Sequence, residues 1–206
     1  DSLTALSHSL SRAFPTLFIS PSATSPALAT ATDRLSPEDR FGLFWRTVPS
    51  DVLQGRVLAE QVVGRQPDVD PSVDRVAVVY ISDAYGEGLA TVFREAWGPS
   101  RTRLYPFGAG VDFAFIADEV GAYGPDAIVM IAIDARRVVD FAGEMAARPA
   151  LADAPLYLTD GAKDEVALLD EGLSSAVRSI LFEQTVGTAP APPAGTPFDL
   201  FKANYE

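Results

Sequence analysis

The chain has 206 residues, an apolar content of 48% and a formal net charge of −12 at pH 7. This apolar share excludes a wholly disordered chain, and no apolar run approaches the roughly 20 residues that a membrane-spanning helix needs. The negative charge repels phosphate groups, so nucleic acid and anionic membranes are poor partners. Because there is no cysteine, disulfides, thiolate metal sites and cysteine nucleophiles are excluded.

The first third of the chain predicts a few separate elements. Residues 2–14 have the apolar spacing of an amphipathic helix, and the apolar run 16–19 predicts a short strand. A hydroxyl-rich loop, 20–26, follows that strand. A second strand is predicted at 43–47, and Ser50 or Asp51 can cap a helix that runs to about residue 64.

The middle of the chain alternates strands and helices, which predicts a three-layer α/β fold with a parallel sheet between two layers of helices. Strands are predicted at 75–81, 101–107, 126–133, 156–158 and 177–183. Helices are predicted at 85–97, 112–123, 135–148 and around 164–170. The runs 75–81 and 126–133 are almost continuously apolar, as in strands buried on both faces, and we expect them to be neighbours in one sheet.

A proline-rich stretch, 186–196, follows the last predicted strand and carries three prolines. Proline cannot donate to a sheet and breaks helices, so this stretch predicts an exposed loop or linker.

Acidic residues follow three of the predicted strands. Asp83, Asp134 and Asp160 each come directly after a strand, at the edge where parallel sheets bind ligands. Tyr85 lies two residues beyond Asp83. Each aspartate can equally cap the next helix. Together they favour a site for a cationic or hydroxylated small molecule.

Other motifs give little support to catalysis. Gly86-Glu87-Gly88 matches only the start of a dinucleotide fingerprint, because Thr91 stands where the third glycine is needed. His8 is the only histidine and predicts a polar helix face. We therefore expect neither a cofactor nor a metal. The alternative from another class is a flavodoxin-like or nucleotide-binding α/β enzyme.

Several segments, in order along nearly the whole chain, resemble the type I periplasmic solute-binding proteins of ABC transporters, the branched-chain amino-acid-binding group. They are 18–28 (FISPSATSPAL), 44–51 (FWRTVPSD) with Gln54, 75–90 with its DAYGEGLA ending, 158–161 (LTDG), and 186–188 (VGT) with the segment to Tyr205. The resemblance implies two α/β lobes that close over a ligand. It assigns 1–47 to a partial first lobe and its first crossing, 48–183 to the second lobe, and 184–206 to the return crossing and the start of the remainder of the first lobe.

The resemblance also implies the roles of individual residues. The loop around Ser22, Ala23 and Thr24 is expected to hold a ligand carboxylate, and Tyr85 to cover the ligand. Asp160 aligns with an acid that pairs with the ligand's ammonium. Asp134 completes the predicted acidic rim.

The function implied is capture of a small polar ligand, an amino acid such as leucine, isoleucine or valine, without chemistry. The implied partners are the ligand and the membrane subunits of an ABC transporter, with no nucleic acid and no membrane insertion of this segment. The implied location is periplasmic or extracytoplasmic. A ligand-sensing domain of a signalling receptor is the alternative, since it uses the same fold.

Overall fold

A computed structural model describes residues 17–26, 28, 42–64 and 73–188 of the chain. The predicted helix 2–14 and most of the proline-rich stretch lie outside these residues. The strands are β1 (Phe18–Ser20), β2 (Phe44–Arg46), β3 (Val76–Ile81), β4 (Thr102–Phe107), β5 (Ala127–Ile131), β6 (Leu156–Leu158) and β7 (Thr185–Gly187). The helices are α1 (Asp51–Gly64), α2 (Ala84–Trp97), α3 (Phe113–Tyr123), α4 (Ala135–Ala146), α5 (Glu165–Leu168) and α6 (Ser175–Ser179).

The strands form two parallel sheets. The larger has the order β4-β3-β5-β6-β7, and the smaller pairs β1 with β2. In the larger sheet, β3 and β5 are neighbours, with Val76 opposite Ala127 and Tyr80 opposite Ile131. The expectation that the two most apolar runs are adjacent parallel strands is therefore confirmed.

The core lies on both faces of the large sheet, because successive residues of a strand point to opposite faces. Ala77 and Val79 of β3 belong to one apolar cluster with residues of α3 and α4. Val76 and Val78 belong to the other cluster, with residues of α1 and α2. This three-layer arrangement explains why β3 and β5 read as continuous apolar runs, and it confirms the predicted fold class.

The end of the sheet differs from the sequence prediction. Residues 177–183 were expected to form the last strand, but they lie in α6 and in a five-residue π-helical turn, Ile180–Gln184. The Ser174 hydroxyl accepts a hydrogen bond from the amide of Val177 at 3.3 Å, which caps α6. The strand is instead Thr185–Gly187, which pairs with β6 and includes two residues of the stretch predicted to be irregular.

Candidate functional site

A cleft of about 480 Å³ lies between the β1–β2 segment and the start of α1, at the carboxyl end of β6 and β7. We refer to its polar lining residues as the floor and to its apolar lining residues as the walls. The polar lining residues are Ser22, Thr24, Ser50, Asp51, Gln54, Asp160 and Thr188, and the apolar ones are Pro21, Val48, Pro49, Leu53 and Val57.

The loop after β1 is folded back on itself and fixed by β2 and α1. Ser20 Oγ accepts hydrogen bonds from the amides of Ala23 at 3.0 Å and Ser22 at 3.4 Å. Arg46 Nη1 donates to the carbonyl oxygens of Thr24 and Ser25, both at 3.0 Å. The Asp51 amide also donates to Thr24 O at 3.0 Å, so the loop is tied to the first residue of α1.

Asp51 is a buried acid in this cleft, with only 1% of its surface exposed. Its Oδ2 has no hydrogen-bond partner among the described residues. Burial, reinforced by the charge of Asp160, raises the pKa of Asp51 to about 6, although a hydrogen bond with the Thr24 side chain and the positive charge of Arg46 lower it. The carboxyl is thus stabilised only in part by its surroundings.

Three hydroxyl groups close to Asp51 are also buried and poorly satisfied. Within the described parts of the chain, no well-formed hydrogen bond reaches Ser25 Oγ, Thr159 Oγ1 or the Tyr85 hydroxyl. The Tyr85 and Thr159 hydroxyls lie next to each other, and burial raises the pKa of Tyr85 above its ordinary value. Unsatisfied buried polar atoms cost about 1–3 kcal/mol each, so these hydroxyls add to the cost of burying polar groups beside the cleft.

Asp160 is on the same floor, but one of its oxygens already has a partner. Gln54 Nε2 lies 2.7 Å from Asp160 Oδ1 and 3.2 Å from Thr188 Oγ1. The turn that carries Asp160 is compact: a Cβ built on Gly161 lies 2.9 Å from Ala132 O and 3.2 Å from the Tyr85 hydroxyl. Glycine at this position therefore allows β6 to turn close to Tyr85.

The other two strand-end aspartates cap helices. Asp83 accepts a hydrogen bond from the Gly86 amide at 2.8 Å, and Asp134 accepts one from the Arg136 amide at 2.9 Å. Asp134 lines a separate depression of about 530 Å³ with Ile133 and Lys163. Of the predicted site residues, the structure brings Ser22, Thr24 and Asp160 into one cleft, with Tyr85 beside it. It does not bring Asp134 there.

The donors of the β1 loop are partly used within the loop itself. Ala23 is buried and donates its amide to Ser20 Oγ, while the Thr24 side chain bonds to Asp51. The Ser22 side chain lines the cleft.

Sequence reasoning missed Asp51, Gln54 and Thr188 as site residues. Asp51 was noted only as a helix cap, and Gln54 only as part of a resembling segment. Asp51 and Gln54 share one helix, but Asp160 and Thr188 are 106 and 134 residues from Gln54 in sequence, so tertiary packing alone shows that these residues lie together.

Other kinds of site find no support in the described residues. They contain no group of three or more His, Asp or Glu side chains suited to a metal ion. No helix within them has the length and apolar content needed to cross a membrane.

No protein-family model matches the chain. A chemotactic signal transduction system substrate-binding protein, BasB of Halobacterium salinarum, is 31% identical over 147 residues, which is 67% of this chain and 34% of that protein. A fatty acid ABC transporter substrate-binding protein from Thermomonospora curvata matches with a TM-score of 0.66 and 16% identity, over 98% of this chain and 49% of its own. An ABC transporter substrate-binding protein from Desulfitobacterium hafniense in complex with Leu matches with a TM-score of 0.53 and 20% identity, over 77% and 44%.

The resemblance to type I solute-binding proteins is thereby confirmed, and the chain has the α/β fold of these proteins. It spans about a third of the length of the curated relative and about half of the solved structures.

Proposed function

We propose that this chain is the ligand-capturing part of an extracytoplasmic solute-binding protein that takes up a small amine-bearing molecule, an amino acid with an apolar side chain, for an ABC transporter. No chemistry is performed. The observation that supports this most directly is Asp51, a buried carboxyl with an unpartnered oxygen within the described residues, at a cleft of suitable size.

The floor and the walls of the cleft favour different parts of such a ligand. Asp51 and Asp160 carry negative charge, and an ammonium group offers three hydrogen-bond donors that carboxylate oxygens accept. Leu53 and Val57 of α1 are 59% and 37% exposed, so an aliphatic side chain of the ligand gains by covering them. Ser22 also lines the cleft, and its hydroxyl is the proposed donor to the ligand's carboxylate, because the Thr24 side chain already bonds to Asp51.

The proposed capture follows from this division of the site. The β1–β2 segment and the large sheet each contribute part of the lining, so a ligand that contacts both favours their close approach. In the proposed assignment, 1–47 belongs to the first lobe, 48–183 to the second and 184–206 to the return crossing. The pairing of β7 with β6 supports extending the second lobe to Gly187.

A sensing role is the second candidate, and BasB favours it, because that relative is named for chemotactic signal transduction. Capture is common to both roles, so the cleft and its ligand class are the same. They differ in the partner, which is a transporter in one case and a signalling receptor in the other.

A thermal-shift screen on the intact protein tests the proposal. The panel contains the twenty amino acids, the desamino acids of their apolar members, sugars and fatty acids. A ligand present at 100 times its Kd adds about 2.7 kcal/mol to the stability of the folded state. We expect stabilisation by apolar amino acids. Stabilisation by sugars or fatty acids alone contradicts the ligand class, and no stabilisation by any compound contradicts the function.

Asp160→Asn tests the role of the second acid. Truncating one partner of a buried charge pair costs roughly 2–5 kcal/mol, so we expect an amino acid found by the screen to bind at least about 30-fold more weakly. Asp153→Asn, at an exposed loop position, removes the same charge and serves as the control. Equal Kd values for the wild type and Asp160→Asn, measured by calorimetry, refute a role for Asp160 in recognising the ligand.

A further inference from the structure

Gln54 connects three segments that are far apart in the sequence. It lies in the first turn and a half of α1, and its side-chain amide bridges Asp160, which follows β6, and Thr188, which follows β7. The two contacts span 106 and 134 residues of sequence. No other described side chain of α1 makes hydrogen bonds to the ends of both strands.

The chemistry of the partners fixes how the Gln54 amide is oriented. An ionised carboxylate only accepts hydrogen bonds, so the amide nitrogen, and not the oxygen, must face Asp160. The Thr188 hydroxyl lies 3.2 Å from Leu158 O, a carbonyl to which it can only donate, so it accepts from Gln54. The Thr188 amide also donates to Leu158 O at 2.9 Å, which holds Thr188 against the end of β6.

This arrangement uses both hydrogens of the amide and engages only Oδ1 of Asp160. Among the described residues, no hydrogen bond is formed to Oδ2, and Asp160 lines the cleft. A carboxylate on a surface turn otherwise samples several rotamers, and ordering it on ligand binding costs free energy. Because Gln54 already fixes Oδ1, the carboxylate loses less conformational freedom when the ligand binds.

We propose that Gln54 is a positioning residue, which holds the Asp160 carboxylate in the orientation that receives the ligand's ammonium. This inference rests on the proposed function, because it assumes an amine-bearing ligand on Asp160. Gln54 itself acts through Asp160 and Thr188 and needs no contact with the ligand.

The test uses the intact protein, with L-leucine and 4-methylpentanoate as calorimetric probes. The two have the same carbon skeleton and carboxylate, and only leucine carries an ammonium. Gln54→Met keeps the length of the side chain and removes both donors. Gln61→Met, at an exposed position of the same helix, is the matched control. We expect Gln54→Met to weaken leucine binding by about tenfold, with 4-methylpentanoate binding unchanged and Gln61→Met without effect on either.

A double-mutant cycle separates positioning from a general effect on folding. In an Asp160→Asn background, the proposal predicts that Gln54→Met changes leucine affinity by less than about twofold, because the group it positions no longer carries a charge. Additive losses, equal losses for both probes, or an unchanged leucine affinity in Gln54→Met overturn the inference.

If the wild type binds no member of the amino-acid panel, the proposed function fails and the inference fails with it. If the wild type binds leucine but Gln54→Met does so equally well, only the inference fails.

Discussion

Asp51 is the residue whose burial is hardest to explain by stability alone. A carboxyl in this position costs free energy on folding when it is ionised, since desolvation dominates over the contacts with Thr24 and Arg46. Natural folds keep such groups at functional sites, where a ligand completes the interaction. Asp51 is therefore stronger evidence for a binding site than Asp83 and Asp134, which cap helices.

The raised pKa of Asp51 predicts how stability depends on pH. Between pH 4 and pH 6 the folded protein binds more protons at this group than the unfolded chain, so this residue's contribution lowers stability as pH rises through that window. Above about pH 6 the full cost is present, about 3 kcal/mol for a shift from 3.8 to about 6. The pKa of about 6 already includes the effects of the neighbouring groups Thr24, Asp160 and Arg46.

Asp51→Asn keeps the shape of the side chain and removes the charge, so we expect it to stabilise the ligand-free protein at pH 7.5 while weakening amino-acid binding. The gain in stability should shrink to nearly zero at pH 4. Urea unfolding of the wild type, Asp51→Asn and the exposed control Asp153→Asn at the two pH values measures this. A loss of stability at pH 7.5 would show that Asp51 has a structural role instead.

Site residues that follow a recognisable strand can be predicted from the sequence, whereas residues buried by a segment distant in sequence cannot. Asp160 and Tyr85 were predicted because each follows a strand, and strand ends meet at one edge of a parallel sheet. Asp51 was not, because a helix-initiating aspartate looks the same in sequence whether its side chain is exposed or buried. Its contacts are with Thr24 of the folded β1 loop, which lies 27 residues earlier in the chain.

At the scale of single elements, most helices and strands follow from apolar periodicity. The failure at 177–183 has a physical cause: Val177, Ile180 and Leu181 are apolar and β-branched or bulky, which suits a strand, but the same spacing also places one apolar face on α4. The hydrogen bond from the Val177 amide to Ser174 Oγ stabilises the first turn of a helix and so favours a helix over a strand here. β7 was missed because a three-residue strand owes its pairing to its neighbour β6 and not to its own composition.

The start of α2 offers a sharp test of local packing. A Cβ built on Gly86 clashes with the carbonyl oxygen of Ile81, whereas one built on Gly121 of α3 meets only Leu151 Cγ at 3.9 Å. Alanine is the better helix former by up to about 1 kcal/mol. We expect Gly121→Ala to stabilise the protein by about 0.5–1 kcal/mol and Gly86→Ala to destabilise it by about 2 kcal/mol or more, both measured by urea unfolding. Stabilisation by both substitutions would contradict the close approach of α2 to β3.

For the whole molecule, the two sheets are expected to differ in local stability. β3 and β5 are buried on both faces, while Ile19 of β1 and Trp45 of β2 are 61% and 48% exposed. Local opening costs less where few apolar contacts are lost. Hydrogen exchange of the backbone amides should therefore be much slower in β3 and β5 than in β1 and β2. Equal protection of both sheets would contradict the division into a complete and a partial unit.

In the whole molecule, an acid of α1 and an acid after the end of β6 line one cleft together with apolar residues. The solved structures share this fold, and both they and the curated relative are substrate-binding proteins by name, with ligands in the structures' names that range from a fatty acid to leucine. In the proposed function, the negative charge of Asp51 and Asp160 is the feature that favours an amine over a simple acid.

The most direct test is calorimetric titration of the intact protein with L-leucine and with 4-methylpentanoate at pH 7.5. The account predicts that leucine binds at least about 30-fold more tightly, and that Asp51→Asn removes most of this preference. Equal affinities for the two compounds, or tighter binding of 4-methylpentanoate, would contradict recognition of an ammonium group by the acidic floor of the cleft.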